Sequence, residues 1–352
     1  MGFEDPGSRL ASPSRTFAPS PATPAKGSGG ARPGWRRLLA RDHTGLRVVL
    51  RRALDLGLLL LGLSTLLFFL LRATGDPLSA LASDDATPET LAALRTQYGF
   101  DESLGVQYAS FLGQILRGDF GHSLASGESA LSMVLQALPA TLLLAMLAMA
   151  ATILVAVPLG AWLGSAPDRL GQRGAAAIVY VLQGTPGFVA ALVLIQIFAI
   201  ETSWLPALGF AGPRTWILPA LSLSLFLTPK LARGVAVHVN EMMQQDFVRA
   251  ARAAGAGPSV ILWRHVLPNA MLGAVALMGA QFAALVGGAV VIETIFAWPG
   301  LGRLLVQSTL SLDFPVIQAT ALVVAVLVFA ANVIADLTFV RLDPRLNMAD
   351  SG

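Results

Sequence analysis

The chain contains, between two long apolar segments, the stretch Asp246-Phe-Val-Arg-Ala-Ala-Arg-Ala-Ala-Gly-Ala-Gly-Pro-Ser-Val-Ile-Leu-Trp-Arg-His-Val-Leu-Pro-Asn269. Gly255 follows a short helical pattern and can adopt the left-handed conformation of a helix C-terminus, and Pro258 suits the first turn of a new helix. The stretch therefore predicts a helix, a sharp turn and a second helix that ends at Pro268. The first helix has apolar residues at three- and four-residue spacing, which predicts one apolar stripe: Met243, Phe247, Ala250, Ala251 and Ala254.

This stretch resembles the Glu-Ala-Ala loop of the membrane permeases of ATP-binding-cassette importers. In that family Glu-Ala-Ala, three residues, Gly, nine residues and Ile-x-Leu-Pro form a helical hook that docks on the ATPase. Ala250 and Ala251 match the two alanines, Gly255 matches the glycine, and Leu267 and Pro268 match the terminal pair. An ordinary basic connecting loop is the alternative interpretation.

Two positions depart from the general motif, because Arg249 replaces its Glu and His265 replaces its Ile. Both departures resemble the dipeptide/oligopeptide (and nickel) permease branch, whose hook reads roughly Asp-Tyr-Val-Arg-Thr-Ala-Arg-Ala-Lys-Gly and then Arg-His-x-Leu. The resemblance implies an ATPase-docking surface with these members: Asp246, Phe247, Arg249, Ala250, Ala251, Gly255, His265, Leu267 and Pro268.

The composition is that of a membrane protein. Of the 352 residues, 55% are hydrophobic and only 13% are charged, and the mean hydropathy is +0.66, whereas soluble domains carry about 25% charged residues. The basic residues cluster beside apolar segments, which indicates membrane topology rather than a nucleic-acid surface. The chain has no cysteine, which excludes disulfides, thiolate metal sites and thiol nucleophiles.

The pattern predicts an all-α integral membrane protein with six transmembrane helices, each long enough to cross about 30 Å of hydrocarbon. The fourth is the weakest, since Lys230, Arg233 and two prolines interrupt it. The predicted spans are 53–71, 139–163, 175–199, 214–237, 270–292 and 317–339.

The distribution of positive charge predicts the orientation. With both termini in the cytoplasm, 19 of the 24 Lys and Arg residues lie inside. A polar tail at 1–35 is predicted to be disordered, and the permease domain is predicted to occupy 36–347. The first span is read as an anchor rather than a signal peptide, because the preceding basic region is too long. A cytoplasmic coupling loop is placed at 238–268 and a large extracytoplasmic loop at 72–138.

The loop 72–138 is too long for a simple connector, and it holds eight acidic residues. It resembles the extracytoplasmic region of oligopeptide permeases in Gly-Asp-Pro at 75–77, Gln-Tyr at 107–108 and Arg-Gly-Asp-Phe-Gly-x-Ser at 117–123. One helical face is apolar and suits either packing on the membrane domain or contact with a solute-binding protein: Leu104, Tyr108, Phe111, Leu112, Ile115 and Leu116.

Two further motifs suggest residues of a pathway or gate. Glu293-Thr-Ile-Phe-Ala-Trp-Pro-Gly-Leu-Gly-Arg303 resembles a run of this family and must turn at the membrane surface, with Trp298 suited to the interface. Trp298, Pro299 and Gly300 either close the outer end of a pathway or form a purely structural turn. Thr185 and Pro186, in a run resembling the family's Leu-x-Leu-Pro-x-Phe, predict a bend in the third span. That bend either lines the pathway or serves helix packing through small residues.

Catalytic chemistry is missing from the sequence. It has no phosphate-binding Gly-x-x-x-x-Gly-Lys-Ser/Thr, no Gly-x-Ser-x-Gly, and its four histidines are scattered. We therefore expect no enzyme activity, no cofactor and no metal. A secondary, ion-coupled transporter is the alternative from another class, but such carriers usually place ionisable residues near the bilayer midplane. Here the centres of the predicted spans carry no charge.

Taken with its motifs, the chain resembles a permease subunit of an ATP-driven, binding-protein-dependent importer of the bacterial inner membrane. The resemblance, which covers about 48–347, implies three protein partners besides membrane lipid: a second, homologous permease, ATP-binding-cassette ATPase subunits and an extracytoplasmic solute-binding protein. It implies no nucleic acid. Peptides are the favoured solute, ahead of nickel or an opine-like solute.

Overall fold

The computed structural model describes residues 35–74, 96 and 101–342, which are mostly helical. An isolated antiparallel bridge pairs His122 with Ser129. The predicted disordered tail, except its last residue, lies outside the described residues, as does the motif at 75–77.

Twelve α-helices and two π-helical segments follow one another in the described part of the chain. Helices α1 to α6 are Trp35–Thr74, Leu104–Leu116, Ala130–Ser165, Leu170–Gln183, Gly187–Leu194 and Pro213–Met243. Helices α7 to α12 are Asp246–Ala253, Pro258–Val260, Leu267–Gly288, Val290–Ile295, Leu301–Leu310 and Phe314–Leu342. The π-helical segments are Ile195–Glu201, which continues α5, and Ile261–Val266, which joins α8 to α9.

Four of these helices are long and apolar enough to cross a membrane alone, and they are α1, α3, α6 and α12. Two bent pairs meet the same criterion together. The first joins α4 to α5 and its π-helical continuation at 99°, and the second bends by 44° between Pro258–Val275 and Leu277–Gly288. The all-α membrane class is confirmed, with four to six candidate spans. The six-span topology and the cytoplasmic termini stay predictions.

The chain divides into two units, Met1–Arg52 and Ala53–Gly352. The first includes the start of α1, where Leu50 is exposed. All features described below lie in the second unit.

Helices α3 and α6 pack against each other closely enough to require glycine. A Cβ atom at Gly160 would overlap the carbonyl oxygen of Ala232, and one at Gly164 would overlap that of Ala236. Small residues four apart let two membrane helices bring their backbones together. Gly160 and Gly164 therefore fix the distance between α3 and α6.

Helix α3 starts at Ala130, earlier than the boundary of 139 predicted for the second span. Its first turns are held by packing, since Ala130 and Val134 are buried against Leu301 and Val316. Neighbouring helices stabilise this helix although Pro139 lies inside it. The loop predicted at 72–138 therefore ends before α3, and 130–138 belong to the helix.

Helix α2 uses much of its apolar face to pack on α1. Phe68 of α1 is fully buried, and its ring centroid lies 5.2 Å from that of Tyr108 and 5.4 Å from that of Phe111. The hydroxyls of Thr65 and Tyr108 are also hydrogen-bonded, at 2.5 Å. The packing interpretation is therefore confirmed for this part of the face, whereas Leu116 at its end is 88% exposed.

Candidate functional site

The hook, residues 246–266, turns sharply at Gly255, as the sequence predicted. Gly255 has φ +84°, and its N–H donates to the Arg252 carbonyl at 3.0 Å. The Ala256 N–H donates to the Ala251 carbonyl, also at 3.0 Å, which completes a Schellman motif. Pro258 then begins the next helix after Gly257, as expected. The left-handed glycine thus determines the angle between α7 and the segment that follows.

Buried apolar residues anchor the hook to the membrane helices. Val248, Ile261 and Val266 are between 0% and 1% exposed, and they pack in one cluster with residues of α3, α6 and α9. Sequence analysis missed Val248, because a single valine among alanines and arginines gives no periodic signal. The hook is therefore packed into the helical core through these three side chains.

The predicted apolar stripe is divided between two environments. Ala251 packs partly against the internal cluster, whereas Phe247, Ala250 and Ala254 are exposed. Two large apolar side chains that were not predicted are also exposed, Val260 at 48% and Trp263 at 47%. Val260 and Trp263 therefore add to the exposed apolar surface of the hook.

The polar members of the predicted docking set have different surroundings. Arg249 donates to the Asp246 carboxylate at 3.1 Å, and both side chains are exposed, at 76% and 94%. Asp246 also lies in the first turn of α7, where negative charge favours the helix dipole. His265 is half-buried, and Leu267 packs against the internal cluster. Leu267 therefore contributes packing within this chain.

The second helix of the hook does not end at Pro268, contrary to the sequence prediction. The π-helical segment Ile261–Val266 leads directly into α9, and Pro268 lies in its first turn. A proline has no N–H to donate, but the first turn of a helix needs none, so the chain can continue. Likewise, α6 extends to Met243, which makes 238–243 of the predicted coupling loop helical. The hook is thereby continuous with α9 at its C-terminal end, and only Gln244 and Gln245 separate it from α6 at its N-terminal end.

The third predicted span is broken where Thr185 and Pro186 were expected to bend it. Helix α4 ends at Gln183, Pro186 is the N-cap of α5, and the two helices meet at 99°. Thr185 is half-buried, and Pro186 is exposed. The backbone of Gly187 approaches the Phe226 ring on α6. The break is thus a corner in the fold rather than a mild kink.

A buried carboxylate organises the turn between α10 and α11. Glu293 is fully buried; its Oε1 accepts a 2.7 Å hydrogen bond from the Thr141 hydroxyl, and its Oε2 accepts one of 2.7 Å from the Gly302 N–H. The Arg303 N–H also donates to Oε2, at 3.2 Å. The Thr141 oxygen accepts from the Leu301 N–H at 2.8 Å. Together Glu293 and Thr141 satisfy the free N–H groups at the start of α11.

Trp298 lies in the protein core and is not exposed to a membrane interface, for which sequence analysis judged it suited. Its side chain is fully buried, and its Nε1–H donates to the Ala140 carbonyl at 2.9 Å. The Phe210 ring contacts it edge-to-face, with centroids 4.7 Å apart. The sequence Trp-Pro-Gly-Leu-Gly predicts only that the helix ends in a turn. It does not reveal the pocket for the indole ring, because residues distant in sequence form that pocket. Trp298 thus fastens the turn to α3.

The other two residues of the predicted gate differ in exposure. Pro299 is exposed, and Gly300 is buried against Glu293. A Cβ atom at Gly300 would overlap the Glu293 carboxylate, so this position requires glycine. Sequence analysis predicted the turn but assigned no role to Glu293 within it.

A second buried carboxylate ties the loop before α3 to α12. Asp313 is 2% exposed, accepts from the Leu124 N–H at 3.1 Å, and accepts a short hydrogen bond from the Ser123 hydroxyl. Ser123 ends the Arg-Gly-Asp-Phe-Gly-x-Ser motif, in which Gly118 and Gly121 have positive φ. That motif therefore shapes a loop that delivers Ser123 to Asp313.

Two family profiles match the chain. Residues 156–348 match the binding-protein-dependent transport system inner membrane component, and residues 45–145 match the N-terminal region of membrane components of such systems. Together they include both ends of α3, the hook and the turn at Glu293.

Two curated relatives match most of the chain. A glutathione transport system permease protein of Salmonella typhimurium is 34% identical over 306 residues, which are 86% of this chain and 99% of that protein. A putative peptide transport system permease protein of Brucella suis is 34% identical over 309 residues, or 85% and 98%.

A solved structure of the MetNI methionine ABC transporter in inward-facing conformations has a similar fold. The TM-score is 0.51 at 18% identity, over 60% of this chain and 96% of that one. The comparisons thus favour an importer permease over the secondary transporter that composition alone left open. The chain belongs to the family of inner-membrane components of binding-protein-dependent transport systems, and it is a multi-pass permease subunit of an ATP-binding-cassette importer.

Proposed function

We propose that this chain forms one half of a pathway for short peptides, including glutathione-like ones, beside a second, homologous permease. The similarity of 34% along nearly the whole length of a glutathione permease and of a putative peptide permease supports this solute class. ATP hydrolysis is assigned to separate ATPase subunits, and solute delivery to an extracytoplasmic binding protein.

The hook is proposed as the ATPase-docking element, with Phe247, Ala250, Val260 and Trp263 as its apolar contact residues. The observation that carries this proposal is the contrast within one short segment. Val248 and Ile261 are buried among the helices of this chain, while Phe247 and Trp263 remain exposed on the same short segment. A docking element that transmits movement needs both properties. Its exposed side chains bind the partner, and its buried side chains connect that contact to the helices of this chain.

The corner at Thr185 and Pro186 and the turn at Trp298, Pro299 and Gly300 are proposed to lie along the pathway. The corner has an exposed proline, which is compatible with a position facing a pathway. The turn is proposed as a rigid outer support rather than a moving gate, since Trp298 is fully buried and hydrogen-bonded to α3.

Reconstitution tests the proposed function. The complex isolated with this chain, with its native partner permease, ATPases and binding protein, is placed in liposomes, and entry of radiolabelled glutathione and of a dipeptide is measured. We expect uptake that requires both ATP and the binding protein. Uptake by this chain alone, or uptake driven by an ion gradient without ATP, would contradict the assignment. ATP-dependent uptake of a different solute would contradict only the peptide class.

A further inference from the structure

A cavity of about 400 Å³ lies among the end of α3, helix α4 and the C-terminal half of α6. We call it the basic pocket. None of the residues proposed above for docking or for the pathway belongs to it. Its polar and charged lining consists of Gln172, Arg173, Tyr180, Arg233 and Asn240.

Two arginines give the basic pocket its charge. In the part of the chain that the structure describes, neither Arg173 nor Arg233 forms a side-chain ion pair or hydrogen bond. The Arg233 guanidinium lies 5.8 Å from the centroid of the Tyr180 ring. Two guanidinium groups beside one cavity repel each other, so a shared anion would stabilise their arrangement.

The rest of the lining is apolar and includes Leu163, Val179 and Val237. Within the lining, Val237 of α6 is 51% exposed and Tyr180 of α4 is 58% exposed. Such residues on the helices of a membrane protein suit contact with hydrocarbon. The arginines are therefore next to a surface that suits lipid tails.

We propose that the basic pocket binds an anionic phospholipid, whose phosphate lies between Arg173 and Arg233 and whose acyl chains run along Val237 and the Tyr180 ring. A soluble anion would use the arginines but not the apolar wall. The distribution of Lys and Arg predicts the cytoplasmic leaflet for this end of α4 and α6, and basic pockets between membrane helices on that side suit such headgroups. The lipid would join α4 to α6 close to the hook, because α6 ends at Met243.

Native mass spectrometry of the purified, delipidated full chain tests the proposal. The probes are phosphatidylglycerol, phosphatidylcholine with the same acyl chains, and inorganic phosphate. We expect phosphatidylglycerol to bind more tightly than phosphatidylcholine, and excess inorganic phosphate not to displace it. Arg173→Gln and Arg233→Gln should each weaken phosphatidylglycerol binding about fivefold, the effect of one basic residue near an anionic lipid.

Arg214→Gln is the matched control, because it removes the same charge from the opposite, N-terminal end of α6, where Arg214 is exposed. It should leave phosphatidylglycerol binding unchanged. Equal binding of both lipids to the unaltered chain would overturn the proposal without any variant. An equal loss of phosphatidylglycerol binding in Arg214→Gln would show that net surface charge, and not the basic pocket, attracts the lipid. Displacement of phosphatidylglycerol by inorganic phosphate would show that the pocket binds a soluble anion instead.

Discussion

The Thr141 hydroxyl donates a 2.7 Å hydrogen bond to the Glu293 carboxylate and thereby joins α3 to α10 across 152 positions of sequence. The same hydroxyl oxygen accepts from the Leu301 N–H. One threonine therefore satisfies two partners that are both buried. Because a buried polar group without a partner is costly, this pair is a point at which the turn between α10 and α11 can be tested.

We expect Thr141→Val to destabilise the permease by about 2–4 kcal/mol, since it leaves both Oε1 of the Glu293 carboxylate and the Leu301 N–H without a partner. Thermal unfolding of the purified chain in detergent is the measurement. Thr152→Val is the matched control, because Thr152 is equally buried on α3 but bonds only the Ala148 carbonyl of its own helix. Similar losses of thermal stability in the two variants would mean that the hydrogen bond to Glu293 stabilises the protein no more than a hydrogen bond within one helix.

The contact between α3 and α6 predicts that Gly164→Ala destabilises the protein by about 1–3 kcal/mol, the usual effect of overpacking. The added methyl group would meet the Ala236 backbone carbonyl, which cannot rotate away as a side chain can. Gly62→Ala is the control, since a Cβ atom there has no neighbour within 4 Å. The two variants are compared by the temperature at which the detergent-solubilised chain loses its monodisperse elution peak.

Sequence reasoning predicted the parts of this fold that depend on local chemistry. The left-handed turn at Gly255 and the break at Pro186 follow from the backbone preferences of glycine and proline. The long apolar helices follow from composition. Each of these features needs only a few neighbouring residues, so one sequence suffices to predict it.

The errors arose where distant residues decide the environment of a side chain. Trp298 is buried because Ala140 and Phe210 form a pocket for it, and no local pattern reveals them. Helix α3 begins at Ala130 because α11 and α12 cover its first turns. Glu293 was quoted only as part of a motif, because its role depends on Thr141. Tertiary contacts therefore determine the environments of these residues, and the periodicity of the sequence does not reveal such contacts.

Gly255→Val should misdirect the hook and lower the amount of ATPase that co-purifies with the permease. A β-branched residue at φ +84° is strained by about 1–2 kcal/mol, although a Cβ atom there meets no neighbour within 4 Å. Gly257→Val is the control, because Gly257 has φ −70° and ψ 155°, which valine adopts readily. Membrane insertion of both variants should match the unaltered chain, and equal ATPase recovery from both would show that the turn angle is unimportant.

Because the apolar stripe on α7 is divided between two environments, we expect substitution by Glu to have different effects at the adjacent residues Ala250 and Ala251. Ala250 is exposed, so Ala250→Glu should leave the stability of the permease alone unchanged and reduce ATPase co-purification. Ala251 packs partly into the core, so Ala251→Glu should lower both quantities, because a carboxylate would be partly desolvated. Ala125→Glu, at an exposed alanine outside the hook, should lower neither. Full ATPase recovery with Ala250→Glu would argue against docking on this face.

A cysteine at Thr185 should react with a water-soluble maleimide in the assembled transporter if the corner after α4 faces the pathway. The chain has no cysteine of its own, so the label reports only the introduced thiol. Ala191→Cys is the buried control, since Ala191 is 0% exposed, and Val193→Cys, at 49% exposure, is the control that we expect to face lipid. We expect the maleimide to modify only the cysteine at 185, and an apolar maleimide to modify the one at 193 as well. Protection of position 185 in every nucleotide state would assign the corner to helix packing, because a residue that lines a pathway must meet water at some stage of the cycle.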